Sequence, residues 1–386
     1  MANEGRLRVA VVGAGSWAQR AHIPGWQRDP RAQVVALADV APGPLAAAAA
    51  KYNVERTTTD YRELLDDPGI DVIDVVTGNR PHFQVSWDAL QAGKHVLCEK
   101  PVHNDYRETR RAADLAKAKG LKTKLGFTFR YAPAVLYAKE LIDAGFVGEP
   151  YIFNGYEQNS QWLDPSTPLR QVAPDTPQDV IAVSSIEGYG APIIDIMHWW
   201  LDAPMTSVVG TMRNFVPSRI LRDTGQMARV NIDDGDMWIA EFGSGAIASI
   251  QSSYVTVGNY PGIEARIYGS EGAIIVRLVD EFGICQTIKT AKKDAVEFTE
   301  QQVPDRFFPP GGASTEPWEF LFYSNLVSDF ASEILGDKPS QGDFAQGALV
   351  QETINAFEAS FRQRAWVGFP LSAADAAGTG SQVAPA

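Results

Sequence analysis

The stretch Leu7-Arg8-Val9-Ala10-Val11-Val12-Gly13-Ala14-Gly15-Ser16-Trp17-Ala18 decides the fold. An apolar, β-branched run stops at a glycine; a second glycine follows, and a small residue stands just beyond. Continuous apolar character marks a strand buried on both faces, as in a parallel sheet covered by helices. Working outward, the same rhythm recurs to about Phe127. Strands are predicted at Leu7–Val12, Gln33–Asp39, Val72–Val76, His95–Cys98 and Lys122–Phe127. Between them, helices are predicted at Trp17–Arg28, Pro44–Tyr52, Tyr61–Asp66, Phe83–Ala92 and Tyr106–Lys119. This alternation predicts an α/β domain with a doubly wound parallel sheet, over residues 1–130.

Beyond Pro133 the rhythm changes. Longer strands are predicted at Pro150–Tyr156, Met237–Phe242, Ala246–Ser253, Gly262–Tyr268 and Ala273–Val276, with hairpin turns at Gly243-Ser244-Gly245 and Gly269-Ser270-Glu271-Gly272. With helices at Ile193–Leu201, Pro317–Leu335 and Phe344–Arg362, residues 131–372 read as an α+β domain with a large, mostly antiparallel open sheet. Ser160–Val180 and Val303–Pro317 lack periodicity, and long loops in a compact protein often cover a site. The small, polar residues 373–386 are expected to be a disordered tail.

Composition narrows the partners. In 386 residues, 34 basic against 47 acidic side chains leave a net charge of −13, which argues against nucleic acid or an anionic membrane and for a small-molecule partner. Two cysteines, Cys98 and Cys285, without Cys/His clusters at zinc spacing, predict no metal site and a reducing, cytoplasmic compartment. No apolar run is long enough for a membrane span, and Val9–Val12 is too short for a signal segment.

Gly13-Ala14-Gly15-Ser16-Trp17-Ala18 follows a strand and opens a helix, which is the setting of a dinucleotide site. Gly13 permits the tight turn, Gly15 admits a pyrophosphate close to the backbone, and Ala18 lets helix and strand pack; the N–H groups from Ser16 and Trp17 onward face the phosphates. Asp39 ends the second strand near where a carboxylate meets the ribose 2′-hydroxyl, about 20 residues on. A carboxylate there repels a 2′-phosphate, so NAD is expected over NADP. The same position suits an N-cap for the next helix.

Two further strand ends add Thr77-Gly78-Asn79-Arg80-Pro81-His82 and Cys98-Glu99-Lys100-Pro101. With the fingerprint, these resemble the family of glucose-fructose oxidoreductase, inositol dehydrogenase and related sugar dehydrogenases, whose usual forms are T-P-N-x-x-H and E-K-P. Phe127-Thr128-Phe129-Arg130-Tyr131-Ala132-Pro133, Gly145-Phe146-Val147-Gly148 and Tyr268–Gly272 match as well, so the likeness covers nearly the whole chain. It implies an N-terminal Rossmann domain that binds NAD through Gly13, Gly15, Ser16, Trp17, Ala18, Asp39, Thr77, Asn79, His82, Glu99 and Lys100. It also implies a C-terminal domain whose open sheet mediates a homodimer or homotetramer. The family's lysine is catalytic, which makes Lys100 the strongest candidate. An ammonium beside a substrate hydroxyl stabilises a developing alkoxide and relays its proton.

The second catalytic segment of such relatives, D-x-x-x-H-x-x-D on a helix, is altered. The matching stretch runs from Glu187 through Asp195 and His198 to Asp202, and its register is open. In one register Asp195 and His198 form the dyad, on one helix face. In the other, Asp195 matches the last aspartate, Gly188 and Pro192 fall at the dyad positions, and the usual base is missing. Tyr189, Tyr156 and Tyr131 are then the candidate donors, with Glu187 and His103 behind them. In the loop Gln158–Arg170, Trp162 suits stacking on a sugar or core packing. Arg130 suits a substrate carboxylate or hydroxyls, or an internal ion pair.

The resulting expectation is an NAD-dependent oxidoreductase acting on a ring CH–OH of a sugar, glycoside or cyclitol. The rivals are a redox-neutral glycosidase, which oxidises transiently, eliminates and returns the hydride, and a cofactor-binding sensor without turnover.

Overall fold

The computed structural model describes residues 5–169, 181–222, 224–257, 262–279, 285–336, 338–377 and 379–380. Arg170 and the prolines of 170–180 lie outside them. The chain divides into two compact units, Met1–Ala132 with Phe308–Leu349, and Pro133–Phe307 with Val350–Ala386.

In the first unit, β1 (Leu7–Val12), β2 (Ala32–Ala38), β3 (Arg56–Thr58), β4 (Val72–Val75), β5 (His95–Cys98) and β6 (Thr123–Leu125) form one sheet in the order β3-β2-β1-β4-β5-β6. All its pairings are parallel. The order reverses at β1, the switch point beside which open α/β sheets bind ligands at their carboxyl edge. Val9, Val11 and Val72 are fully buried, as the unbroken apolar runs require. The sequence boundaries need one correction here. The helix Trp318–Leu335 belongs to this unit, because Leu326, Val327, Phe330 and Ala331 are buried in the same core cluster as Val9, Val11 and Val72. Each larger side chain so buried contributes about 1.5–3 kcal/mol.

In the second unit, β7 (Pro150–Gln158), β8 (Met205–Arg213), β11 (Gly235–Phe242), β12 (Ile247–Ser253), β13 (Ile263–Gly269), β14 (Gly272–Leu278), β15 (Gln286–Lys292), β16 (Thr299–Gln301) and β17 (Val367–Gly368) form a nine-stranded sheet, with β9 (Ser218–Ile220) and β10 (Met227–Arg229) as a separate ribbon. Its order is β16-β15-β14-β13-β7-β12-β11-β8-β17, antiparallel except for the β7–β12 pair. The helix Ala191–Leu201 covers one face over β7, β12 and β13. Gly155 must be glycine there, since a Cβ would run into Ile193 and Ile250. The opposite face is open and carries Met237, Ile239 and Ile247, each about half exposed. The expected disorder of the tail is corrected over its described part: Ala376 is buried, and Gly380 N–H donates to Glu358 at 2.9 Å. Residues 381–386 lie outside the described chain.

Candidate functional site

Gly13 adopts φ +108°, and a Cβ there would stand 2.5 Å from the Val76 carbonyl oxygen, so only glycine makes this turn. At Gly15 no atom lies within 4 Å of where a Cβ would stand, which leaves the approach to the backbone open. Ala18 is fully buried and Ser16 exposed at the start of the helix, which winds as a π-turn over Ala18–His22. Asp39 Oδ2 accepts the Ala14 N–H at 2.7 Å and Oδ1 the Ala41 N–H at 2.8 Å. One carboxylate thus ties the glycine turn to the end of β2.

The turns after β4 and β5 are tied in the same way. His82 is buried, with Nδ1 2.7 Å from Pro101 O and Nε2 3.1 Å from Thr77 O. Burial lowers its pKa below the ordinary value despite the two carbonyls, and in its neutral form the ring donates to one of them. Asn79 is exposed, and its carbonyl accepts the His82 N–H. Glu99 turns inward: its Oε1 accepts from Trp17 Nε1 at 3.0 Å, His22 Nε2 at 3.2 Å and Tyr323 Oη at 3.3 Å, and its Oε2 accepts the Lys100 N–H at 3.3 Å. Gly126 leaves room for that carboxylate, which a Cβ would strike. Lys100 is half-buried, and its peptide bond to Pro101 is cis.

His22 and Asp74 were missed in the sequence. His22 is fully buried, with Nδ1 2.9 Å from both oxygens of buried Asp74, and Asp74 Oδ2 also accepts from Trp26 Nε1 at 2.9 Å. Burial alone would lower the imidazole, but the carboxylates of Asp74 and Glu99 outweigh it and raise it to about 9. Burial pushes Glu99 up, while hydrogen bonds from His22 and Trp17 hold it below the usual carboxylate range. The available signal was Asp74 itself, an acid inside the strand Val72-Ile73-Asp74-Val75, where both faces are buried.

The remaining candidates of the first unit point inward. The Tyr131 hydroxyl accepts from Lys124 Nζ at 2.9 Å and donates to Gln341 O at 3.2 Å, and burial raises its pKa. Lys124 also meets Asp329 at 2.7 Å and Glu333 at 2.8 Å. Arg130 is 4% exposed in the turn Thr128–Tyr131. His103 Nδ1 accepts the Asp105 N–H at 3.0 Å.

In the second unit, Asp195 is fully buried on the helix Ala191–Leu201. His198 Nε2 meets Thr353 Oγ1 at 2.9 Å, its ring lies 6.1 Å from Phe242, and burial lowers its pKa to about 4. It is a neutral core histidine one helical turn from the carboxyl end. Tyr189 lies nine residues earlier, roughly 13 Å along a helix. Tyr189 belongs to a three-ring cluster with Trp162 at 6.0 Å and Tyr254 at 5.9 Å, and its hydroxyl donates to Gln161 at 2.7 Å. Gly188 opens on space, with nothing within 4 Å of a Cβ, and Pro192 sits in the first turn of the helix. Tyr156 lies on the other side of the sheet, opposite the helix-covered face, under the Arg266 guanidinium. The sheet therefore separates Tyr156 from Tyr189 and Asp195.

Residues 7–127 match the oxidoreductase family with an NAD-binding Rossmann fold, and residues 135–275 match the GFO/IDH/MocA C-terminal domain. The chain belongs to the GFO/IDH/MocA oxidoreductase family. Among its GFO/IDH/MocA relatives, a levoglucosan dehydrogenase of Pseudarthrobacter phenanthrenivorans is 30% identical over 251 residues, spanning 62% of this chain and 63% of that protein, less than two thirds of its length. A scyllo-inositol 2-dehydrogenase (NAD(+)) of Bacillus subtilis is 29% identical over 71% of this chain and 74% of its own. An NAD binding oxidoreductase of Klebsiella pneumoniae superposes with a TM-score of 0.83 at 25% identity, covering 95% of this chain and 100% of its own. The Gly13 turn, the open approach at Gly15 and the Asp39 carboxylate fit the NAD that the family's N-terminal domain binds.

This GFO/IDH/MocA chain has one more buried acidic group, in its second unit. Asp233 accepts the N–H groups of Ser184, Ser185 and Ile186. Asp236 accepts the Ser252 hydroxyl through Oδ2, while its Oδ1 is buried without a partner among the described residues. Burial raises both carboxyls, Asp233 to about 7 with the Asp234 charge adding to it, and Asp236 well above the ordinary value with the Asp233 charge adding to it.

Proposed function

We propose that the protein is an NAD-dependent oxidoreductase that oxidises a ring CH–OH of a sugar, glycoside or cyclitol. The observation that carries this reading is the placement of Lys100. It stands at the carboxyl end of β5, on the same edge of the sheet as the Gly13 turn after β1 and Asp39 after β2, with Glu99 bonded to Trp17 of that turn. Gly13, Gly15, Ser16, Trp17 and Ala18 would hold the pyrophosphate, Asp39 the ribose, and Thr77, Asn79 and the Glu99–Lys100 turn the nicotinamide end. When bound, NAD+ supplies the hydride acceptor. Lys100, in its amine form, takes the hydroxyl proton as the carbinol C–H pair departs, and a carbonyl is left; in reverse the ammonium returns that proton. The relatives named for levoglucosan and scyllo-inositol support a polyhydroxylated ring as substrate class.

The half-exposed Met237, Ile239 and Ile247 support self-association through the open sheet face, and two cysteines in 386 residues support a cytoplasmic setting.

Absorbance of NADH, followed with NAD+ and a panel of free sugars, cyclitols and glycosides alongside aglycone release, tests this. Net NADH from a free polyol is the expected result. Aglycone release without NADH would replace it with the glycosidase, and binding without either product would leave a sensor.

A further inference from the structure

We propose that His22 is a positioning residue of this site, holding Asp74 with one ring nitrogen and Glu99 with the other, and thereby locking the Lys100 turn to the dinucleotide turn. The argument is first geometric. Both ring nitrogens face carboxylate oxygens, at 2.9 and 3.2 Å, and both can donate only when the ring carries two protons. The ring is fully buried, stacked on Tyr323 at a centroid distance of 4.0 Å, so no water stands in for a missing partner. The charges follow the same logic. Two buried carboxylates without a cation between them repel, and His22 is the cation placed between them.

The network reaches both functional turns. Trp17, inside the glycine fingerprint, and Tyr323, from the helix Trp318–Leu335, place the second and third donors on Glu99 Oε1, and Oε2 takes the Lys100 N–H. His22 thus shares in neutralising a carboxylate that would otherwise fall to its chain neighbour Lys100. The other ionisable groups facing this cluster are His82 and Cys98, the first lowered and the second raised by burial, which leaves both uncharged near neutrality.

The inference rests on Lys100 as the proton-transfer group, whereas the charge on the ring does not. The first arm of the test is an NMR titration of the histidine ring carbons in the full-length protein, with His22→Gln identifying one signal among five histidines. The ring should be doubly protonated at pH 7.5 with a midpoint near 9. In Glu99→Gln that midpoint should fall by about one pH unit or more, because one of its two anions is gone. A neutral ring at pH 7.5, or a midpoint unmoved in Glu99→Gln, would overturn the proposal.

The second arm is kinetic. His22→Gln should lower kcat at least about tenfold while KM for the polyol and the affinity for NAD+ stay within about threefold. An unchanged kcat would overturn the positioning role. A wild type that oxidises no polyol would sink the dehydrogenase reading alone, and the ring titration would still decide the network.

Discussion

The two units bury charge in opposite ways. In the first, cations meet carboxylates: His22 lies between Asp74 and Glu99, and Lys124 against Asp329 and Glu333. In the second, Arg219 meets Asp234 at 2.9 Å, and Asp233 and Asp236 keep a proton instead of a counterion. The difference teaches where pH acts. His22 is raised from 6.5 to about 9, so its stabilising contribution is complete below 6.5 and lost as pH rises through 9. Asp233 is raised from 3.8 to about 7, so its contribution is complete below 3.8 and lost as pH rises through 7. Between pH 7 and 8.5 Asp233 has given up its proton while the first unit keeps its buried cation.

The most severe way to break this comparison is to remove the cation. His22→Leu should cost about 3–5 kcal/mol of stability at pH 7, read by chemical denaturation, since two buried carboxylates then lack a counterion. Lys124→Met should cost less, about 2 kcal/mol, because the Asp329 side chain is 44% exposed and partly hydrated. In the second unit the sign should reverse. Asp236→Asn keeps the shape and removes the titration, so at pH 8 it should be neutral or stabilising by about 1 kcal/mol, with the gain vanishing toward pH 4. A large loss at pH 8 would mean the carboxylate has a cationic partner after all.

A gentler measurement sharpens the contrast without mutation. Amide exchange at Asp233, Asp236 and Ser252 should speed up beyond its intrinsic pH dependence between pH 4 and 7, while that at Asp74 and Glu99 keeps its protection to pH 6.5 and loses it between 6.5 and 9. The smallest effect expected is at His198. Its pKa is lowered to about 4, so it destabilises the fold as pH falls below 6.5, and His198→Gln should flatten that acid limb while changing stability at pH 7 by less than about 1.5 kcal/mol.

The sheet of the first unit was legible because strands buried on both faces read as unbroken apolar runs, and the two glycine turns announce themselves. β3 was not, since Arg56-Thr57-Thr58 carries no apolar signal. The place of the helix Trp318–Leu335 was hidden because its core partners lie three hundred residues earlier in the chain, beyond the reach of any local pattern. β8 was missed because Gly210 interrupts its alternation, and the reason for that glycine, the close approach of Trp238 and Phe357, exists only in the fold. At the candidate site, Lys100, Glu99 and Asp39 were readable from motifs at strand ends. His22 was not, because a histidine on an amphipathic helix looks like any other until Asp74 and Glu99, brought from two other strands, close around its ring. The face that carries Tyr156 was hidden for a related reason: a tyrosine's residue type says nothing about which side of the sheet it takes.

The central claim is that Lys100 moves the proton of a ring hydroxyl as hydride leaves for NAD+. Its most direct test is the rate of NADH formation by wild type and Lys100→Met on the best polyol of the panel, with NAD+ affinity measured by calorimetry on both. The account predicts that turnover falls by at least about a thousandfold in Lys100→Met while NAD+ affinity changes less than about threefold. Turnover within about tenfold of wild type would contradict it.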